Sequence, residues 1–193
     1  QFAQENSLTG IEFACGIPGS IGGAIFMNAG AYDGEMKNVA DTVRTVDREG
    51  RIHTYSRDEL DLGYRHSRFQ DNGEAIVEVE LCLEPGDSKA IRAKMDDFTQ
   101  RRESKQPLEM PSAGSTFKRP KGYFAGTLIQ ETGLKGLQVG GAQVSTKHAG
   151  FVVNATGNAT AADVRGLIHE VQQRVYEKHG VMLHPEVRII GDA

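Results

Sequence analysis

The stretch GIEFACGIPGSIGGAIFMNAGAYDG, from residue 10 to residue 34, restricts the fold because it carries seven glycines. Proteins contain roughly 7% glycine on average, so the stretch is strongly enriched. Glycine lets main-chain amides approach a partner with no Cβ atom in the way. Two interpretations stay open: a tight bend packed inside a sheet, or a loop that holds a phosphate or a flat ring. The stretch matches neither G-x-G-x-x-G nor the P-loop, which ends in Lys-Ser/Thr.

Size and charge limit the classes of protein to which the chain can belong. Its 193 residues, 38% of them hydrophobic, can bury one sizeable core or two small ones. The net charge of −4 predicts neither nucleic acid nor an anionic membrane as a partner, although a basic cluster such as QRRESK could still hold an anion. No apolar run is long enough to span a membrane, and the first residues lack the regions of a signal peptide. Two isolated thiols, Cys15 and Cys82, favour a reducing cytoplasm.

Several segments of the first half have the apolar periodicity of strands and helices. Two β-rich runs that flank DREG predict a hairpin, and the alternating residues 74–86 predict a strand. Ser56 and Glu59 form a capping box for a short turn of helix. A longer helix is expected to begin after Asp87 or Ser88 and to end before Pro107.

The second half contains the clearest helix of the chain. Thr160 and Asp163 form a capping box at its start, and Gly180 is placed to end it. A short helix in YFAGTLIQETGLKG, one or two strands in AQVSTKHAGFVVN and a final strand in VMLHPEVRII complete this half. Because strands and helices mix without a regular β-α-β alternation, we predict an α+β fold with a boundary near residues 103–106.

Ser115 lies in EMPSAGSTFKRP, between a glycine and two cations. A surface turn is the simplest interpretation, because Gly, Ser, Thr and Pro between periodic segments are typical of turns. A G-x-S-x-G nucleophile elbow fits less well, since Phe117 replaces the second glycine and no histidine is spaced as the base. In a third interpretation Ser115 donates a proton. The three alternatives stay open at this point.

Two further segments place charged residues where they could bind a ligand. Arg65, in GYRHSRF, is either a surface cation or a clamp whose guanidinium fork matches a carboxylate. Glu186, in HPEVRII, either faces solvent or turns inward, where it could orient a catalytic centre or carry a proton.

Taken in chain order, IPGSIGGAIFMNAGAYDGE, GYRHSRF, PSAGSTFKRP, KHAGFVVN and HPEVRIIG resemble the UDP-N-acetylenolpyruvoylglucosamine reductase family, flavoenzymes of peptidoglycan precursor synthesis. The resemblance implies that residues 1–104 are the later part of an FAD-binding α+β domain. Residues 105–193 would then be a smaller α+β substrate-binding domain. The family's N-terminal lobe, which has its own flavin-phosphate loop, is expected to be absent, in agreement with a first residue other than Met. The short interval from Arg65 to Ser115 indicates the form of the family without an extra tyrosine-bearing segment.

The resemblance also implies a reaction. NADPH reduces FAD, and the reduced flavin passes a hydride to the vinyl carbon of UDP-N-acetylglucosamine enolpyruvate, so that the neighbouring carbon must gain a proton. By this resemblance Ser115 is the proton donor, while Arg65 and Glu186 bind and stabilise the enolised carboxylate. The same resemblance implies FAD contacts by Gly19, Ser20, Gly22, Gly23 and Asn28, and substrate contacts by Tyr64, Arg102, Lys105, Lys118 and Arg119.

Two other functions stay open from the sequence. The chain could bind a nucleotide sugar without activity, if it keeps the substrate-binding domain and loses flavin. An FAD-linked oxidase of a related fold would need a covalent flavin site or an oxygen-active pocket, and no motif requires either. Flavin absorbance of the purified protein would separate a bound cofactor from its loss.

Overall fold

The computed structural model describes residues 1–191, which divide into two compact units: unit 1, Gln1–Arg102, and unit 2, which begins at Glu103. Each unit combines helices with antiparallel strands, which confirms the α+β prediction. In the described part of the chain, no helix has both the length and the apolar character needed to cross a membrane. The helices and strands, in chain order, are α1 (Phe2–Glu5), β1 (Leu8–Thr9), α2 (Ile21–Phe26), β2 (Gly30–Ala31), β3 (Gly34–Glu35), β4 (Ala40–Val46), β5 (Ile52–Ser56), β6 (Ala75–Leu81), β7 (Glu84–Pro85), α3 (Ser88–Lys105), β8 (Ser112–Ser115), α4 (Ala125–Glu131), β9 (Gln138–Val139), β10 (Ala142–Val144), β11 (Phe151–Asn154) and α5 (Ala161–His179).

Unit 1 is organised around a three-stranded antiparallel sheet in the order β5-β4-β6. The hairpin predicted around DREG is confirmed: β4 pairs with β5, and Gly50 N donates to Asp47 O across the turn. Val43, in the central strand, is fully buried and lies opposite Tyr55 on one side and Val79 on the other. Two shorter antiparallel pairs, β1 with β7 and β2 with β3, complete the strands of this unit. Its buried core consists of Phe13, Ile25, Met36, Val39, Ala40, Val43, Leu60, Leu62, Phe69 and Phe98.

The β2–β3 hairpin shows why Gly34 of the opening stretch is needed. Tyr32 and Asp33 form its two-residue loop, and both have positive φ values of 52° and 64°. The Tyr32 ring stacks on Phe98 at a centroid distance of 4.4 Å. A Cβ atom on Gly34 would lie only 2.6 Å from the Phe13 ring, which is buried. Gly34 therefore makes room for a core side chain.

Unit 2 packs helices on a four-stranded antiparallel sheet in the order β8-β11-β10-β9. The capping box predicted for α5 is confirmed, with mutual hydrogen bonds between Thr160 and Asp163. Gly180 ends α5 as predicted, and its conformation is left-handed, at a φ of 68°. The buried face of α5 contains Leu167, Ile168, Val171 and Val175, and these pack in one core with Phe117, Ala125, Leu128, Ile129, Leu134, Ala142, Val144, Ala149, Val152 and Leu183.

The final strand predicted in VMLHPEVRII is wrong. The described residues of this segment form a single isolated bridge, between Pro185 and Phe117, in place of a regular strand. Proline has no N–H to give to a strand ladder. Pro185 lies at a position of the bridge that uses no N–H, and the two hydrogen bonds come from the residues on either side of it: Lys118 N donates to His184 O and Glu186 N donates to Thr116 O, each at 2.8 Å.

Candidate active site

A β-bulge immediately precedes Ser115 in unit 2. Ser115 pairs with Phe151 and Ser112 pairs with Val153, so β8 advances three residues where β11 advances two. Gly114, inside this irregularity, has a φ of 81°, which L-residues rarely adopt. A Cβ atom on Gly114 would meet nothing within 4 Å, so glycine is needed for its backbone conformation and not for space. Bulges of this kind bend a strand and change the direction of the next side chain.

The chain beyond Ser115 lies beside the segment that contains Glu186. Thr116 O accepts a hydrogen bond from Glu186 N, and Lys118 N donates to His184 O, both at 2.8 Å. The two segments therefore run antiparallel for three residues. Ser115 is exposed and Glu186 is half-buried. Unit 2 thus brings two of the predicted catalytic residues onto neighbouring backbone segments.

Thr116 anchors this arrangement, because its backbone and its side chain face different partners. Its side chain is 2% exposed, and Oγ1 accepts from Val152 N at 2.9 Å. Its N–H donates to Gly150 O at 2.8 Å, while its carbonyl takes the Glu186 amide. Thr116 consequently fixes the C-terminal segment against the sheet just after Ser115.

His148 lies in the loop that precedes β11. Its Nδ1 accepts from Gly150 N at 3.1 Å, and its ring meets Phe151 edge-on at 5.0 Å. Burial lowers the pKa of the ring below its usual value, and the positive charges of Lys135 and Lys105 lower it further. The neutral form, with an unprotonated Nδ1, is therefore favoured. This supporting contact was not found from the sequence, because it depends on the fold of the 145–151 loop.

The basic residues predicted to bind substrate in unit 2 are on its surface. Lys118 and Arg119 are exposed, directly after the Ser115 segment. The Arg119 guanidinium lies 4.0 Å from the centroid of the Phe124 ring, which is itself 59% exposed. Lys105, the last residue of α3, is exposed as well. A cationic and aromatic surface of this type suits a phosphorylated ligand.

Arg65 occupies a strained turn in unit 1. Gly63 and His66 exchange two backbone hydrogen bonds, each of 3.1 Å, and enclose Tyr64 and Arg65 between them. Arg65 has a φ of 53°, a left-handed conformation that costs a non-glycine residue about 1–3 kcal/mol. Residues with such strain concentrate at active sites and ligand clamps. The Tyr64 ring is 55% exposed, and the Arg65 guanidinium lies 5.1 Å from its centroid.

Arg102 and Asn28 pack within unit 1. The Arg102 guanidinium lies 5.7 Å from the Tyr32 ring centroid, and a Cβ atom on Gly16 would be 3.2 Å from its side chain. Asn28 is 1% exposed and donates from Nδ2 to Glu35 Oε2 and to Gly63 O. Both hydrogens of the Asn28 amide are therefore used inside the unit. A substrate contact by Arg102 and a flavin contact by Asn28 stay predictions.

Comparison with known proteins finds a matching family model in each of the two units. A family model described as the UDP-N-acetylenolpyruvoylglucosamine reductase C-terminal domain matches residues 106–190, and one described as an FAD binding domain matches residues 1–56. The UDP-N-acetylenolpyruvoylglucosamine reductase of Limosilactobacillus fermentum is 58% identical over 191 residues, which are 99% of this chain and 63% of that protein. The chain belongs to the UDP-N-acetylenolpyruvoylglucosamine reductase family.

Further members of the reductase family agree in sequence and in structure. The reductase of Clostridium perfringens is 59% identical over 189 residues, which are 98% of this chain and 62% of that protein. The crystal structure of the reductase of Thermus caldophilus matches with a TM-score of 0.85 and 38% identity, and covers 97% of this chain and 66% of that one. The chain thus spans slightly less than two thirds of the length of these relatives.

The glycine-rich loop of unit 1 fits one part of a flavin site. Gly19 has a φ of 128°, and a Cβ atom there would meet nothing within 4 Å, so its backbone is open to a ligand. Ser20 caps α2, with its Oγ accepting from Gly23 N at 3.1 Å. Gly22, which is half-buried, and Gly23, whose amide donates to Ser20 Oγ, lie in the first turn of α2 and carry no Cβ atom between the main chain and a ligand. Within residues 1–191, no group of His, Cys, Asp and Glu side chains could hold a metal ion.

Proposed function

We propose that the chain reduces the enolpyruvyl ether of UDP-N-acetylglucosamine enolpyruvate to UDP-N-acetylmuramate, as a UDP-N-acetylmuramate dehydrogenase of peptidoglycan precursor synthesis that uses FAD and NADPH. Membership of the reductase family supports the reaction class. The observation that carries the proposal is that Ser115 follows the Gly114 bulge and directly precedes Thr116, whose carbonyl accepts from the amide of Glu186.

Ser115 is the proton donor in this proposal. The chemistry that a bound FAD supplies, once NADPH has reduced it, is a hydride for the vinyl carbon of the substrate. Ser115 Oγ–H gives its proton to the neighbouring carbon, and its exposure allows water to return a proton to the oxygen afterwards. An alcohol is a weak general acid near neutral pH, but it suffices toward a carbon that becomes strongly basic.

Arg65 and Glu186 act on the substrate carboxylate, whose negative charge grows as the carbon accepts hydride. The guanidinium fork of Arg65 pairs with both carboxylate oxygens. Glu186 is the second residue assigned to the enolised carboxylate, and the backbone bond from its own N–H to Thr116 fixes where its side chain begins. The left-handed backbone of Arg65 supports this assignment, since such conformations concentrate at active sites and ligand clamps.

The remaining assignments follow from the same proposal. Residues 1–104 form the later part of an FAD-binding domain, and residues 105–193 form the substrate-binding domain. The chain acts in the cytoplasm, as its free thiols suggest. FAD contacts come from Gly19, Ser20, Gly22, Gly23 and Asn28, and substrate contacts from Tyr64, Arg102, Lys105, Lys118 and Arg119.

Ser115→Ala in the complete gene product tests the proposal. Flavin reduction by NADPH should stay nearly unchanged, while flavin reoxidation by the enolpyruvyl substrate should slow by about 10²–10⁴-fold, the range for a positioned general acid. Stopped-flow absorbance of the flavin separates these two half-reactions. Ser115→Cys is the matched variant, and its more acidic thiol should restore part of the rate. Equal slowing of both half-reactions would indicate a disturbed fold, and no slowing of either would return Ser115 to an ordinary surface turn.

A further inference from the structure

One side chain connects the Arg65 turn to the glycine-rich segment. The Gln70 amide donates from Nε2 to Arg65 O at 3.0 Å and to Phe26 O at 2.8 Å. A primary amide has two hydrogens, enough for these two carbonyls, and Met27 Sδ lies 3.9 Å from the same nitrogen. Phe26 is the last residue of α2, the helix that begins beside Ser20. Gln70 therefore holds the Arg65 peptide at a fixed distance from the end of that helix.

The Arg65 turn needs such a support. A left-handed non-glycine residue persists only where its surroundings fix the backbone more tightly than the strain relaxes it. Here Gln70 holds the carbonyl of Arg65, and Asn28 Nδ2 holds the carbonyl of Gly63, at 2.9 Å, on the other side of the turn. Both supports join the turn to residues of the glycine-rich stretch, either directly from Asn28 or through the Phe26 carbonyl.

Ser67 provides a control for this arrangement. Its Oγ also donates to Phe26 O, at 2.8 Å, and its side chain is fully buried. The carbonyls at the end of a helix lack intrahelical partners, so Ser67 and Gln70 satisfy the same acceptor. Of these two side chains, Gln70 also bonds to the Arg65 carbonyl, and Ser67 does not. Loss of either donor weakens the end of α2, but only loss of Gln70 releases Arg65.

We propose that Gln70 is a positioning residue for Arg65: its amide fixes the Arg65 turn to the end of α2, and so to the segment assigned to flavin. This inference rests on the proposed function, because positioning matters only if Arg65 binds the substrate carboxylate. A shift of the guanidinium by about 1 Å can reduce catalysis by about a hundredfold.

Hydrogen exchange in the 193-residue chain tests the structural half of the proposal. The amides of Gly63 and His66 are hydrogen-bonded across the turn. In Gln70→Met, which keeps the length of the side chain but has no donor, their exchange should become about five- to tenfold faster. In Ser67→Ala it should change by less than about threefold. Equal acceleration in both variants would overturn the proposal.

Steady-state kinetics of the complete gene product test the functional half. Gln70→Met should lower kcat by about ten- to a hundredfold and change KM by less than about threefold, while Ser67→Ala should lower kcat by less than about threefold. In an Arg65→Lys background, Gln70→Met should lower kcat little further, because the guanidinium fork that Gln70 positions is already absent. An equal loss in both backgrounds would mean that Gln70 does not act through Arg65. If Gln70→Met does not fold, Gln70→Asn, which keeps the amide on a shorter side chain, takes its place.

The two halves separate failure of the inference from failure of the proposed function. A complete gene product that binds FAD but does not reduce the enolpyruvyl substrate would refute the proposed function. In that case, amide exchange at Gly63 and His66 that becomes faster in Gln70→Met but not in Ser67→Ala would still show that Gln70 holds the Arg65 turn. If the enzyme is active but these amides exchange at the unchanged rate in Gln70→Met, the positioning role of Gln70 is refuted and the proposed function stays intact.

Discussion

Gly114→Ala is the substitution that best separates the backbone role of the bulge from general stability. Gly114 has a φ of 81°, and an added Cβ atom meets nothing within 4 Å, so steric clash with neighbours does not contribute. A left-handed L-residue costs roughly 1–2 kcal/mol. The smaller entropy of the unfolded alanine chain offsets about 0.4–1 kcal/mol of that cost. The net loss of stability is therefore about 1 kcal/mol, which lowers the Tm of a unit of this size by about 4–8 °C.

Gly157→Ala is the matched control. Gly157 also has a φ of 81°, lies in unit 2 and has nothing within 4 Å of an added Cβ atom, but it is in the exposed loop before α5. The two variants should thus lose the same stability, measured as the Tm shift of the 193-residue chain. Only Gly114→Ala should lower the kcat of the complete gene product, by about ten- to a hundredfold, because it redirects Ser115. Equal kcat values in the two variants would refute the idea that the bulge positions Ser115.

Two further predictions concern the packing of unit 1 and the pH dependence of unit 2. Gly34→Ala places a Cβ atom 2.6–2.8 Å from three atoms of the Phe13 side chain. It should therefore lower the free energy of unfolding by about 1–3 kcal/mol, measured by urea unfolding. An unchanged urea midpoint would contradict this packing. Burial lowers the pKa of His148 below 6.5, so the unfolded chain binds the proton more readily and the contribution of His148 to stability is lost as the pH falls below 6.5. The loss of unfolding free energy between pH 7 and pH 5 should be smaller in His148→Gln than in the unsubstituted chain. An identical loss in the two proteins would contradict the lowered pKa of His148.

Elements with local signals were predicted correctly from the sequence. The capping box of α5 needs only Thr160 and Asp163, which are three residues apart, and both of its hydrogen bonds form. The β4–β5 hairpin likewise depends on two short runs of β-forming residues around one turn. Such elements are specified by neighbours in sequence, so no knowledge of the tertiary fold is required.

Elements whose hydrogen bonds depend on distant partners were predicted less well. The segment around Pro185 has apolar residues typical of a strand, but its pairing depends on a partner far away in sequence, and the described residues form only the single bridge between Pro185 and Phe117. Gln70 gave no signal in the sequence, since its role follows from two carbonyls that only the folded chain brings together. The sequence also did not reveal that the Asn28 amide is used inside unit 1.

Ser115 and Arg65 illustrate two solutions to one geometric problem. Each of these two residues depends on a backbone position with positive φ, at Gly114 before the serine and at Arg65 itself. Next to Ser115 the chain can place glycine at the special position, because that position needs no side chain, and the conformation costs little. In the proposed function the special position at Arg65 must carry the guanidinium, so glycine is excluded there and neighbours have to offset the strain. Gln70 and Asn28 supply that support through the carbonyls of the turn, which explains why two buried or half-buried amides converge on one short loop.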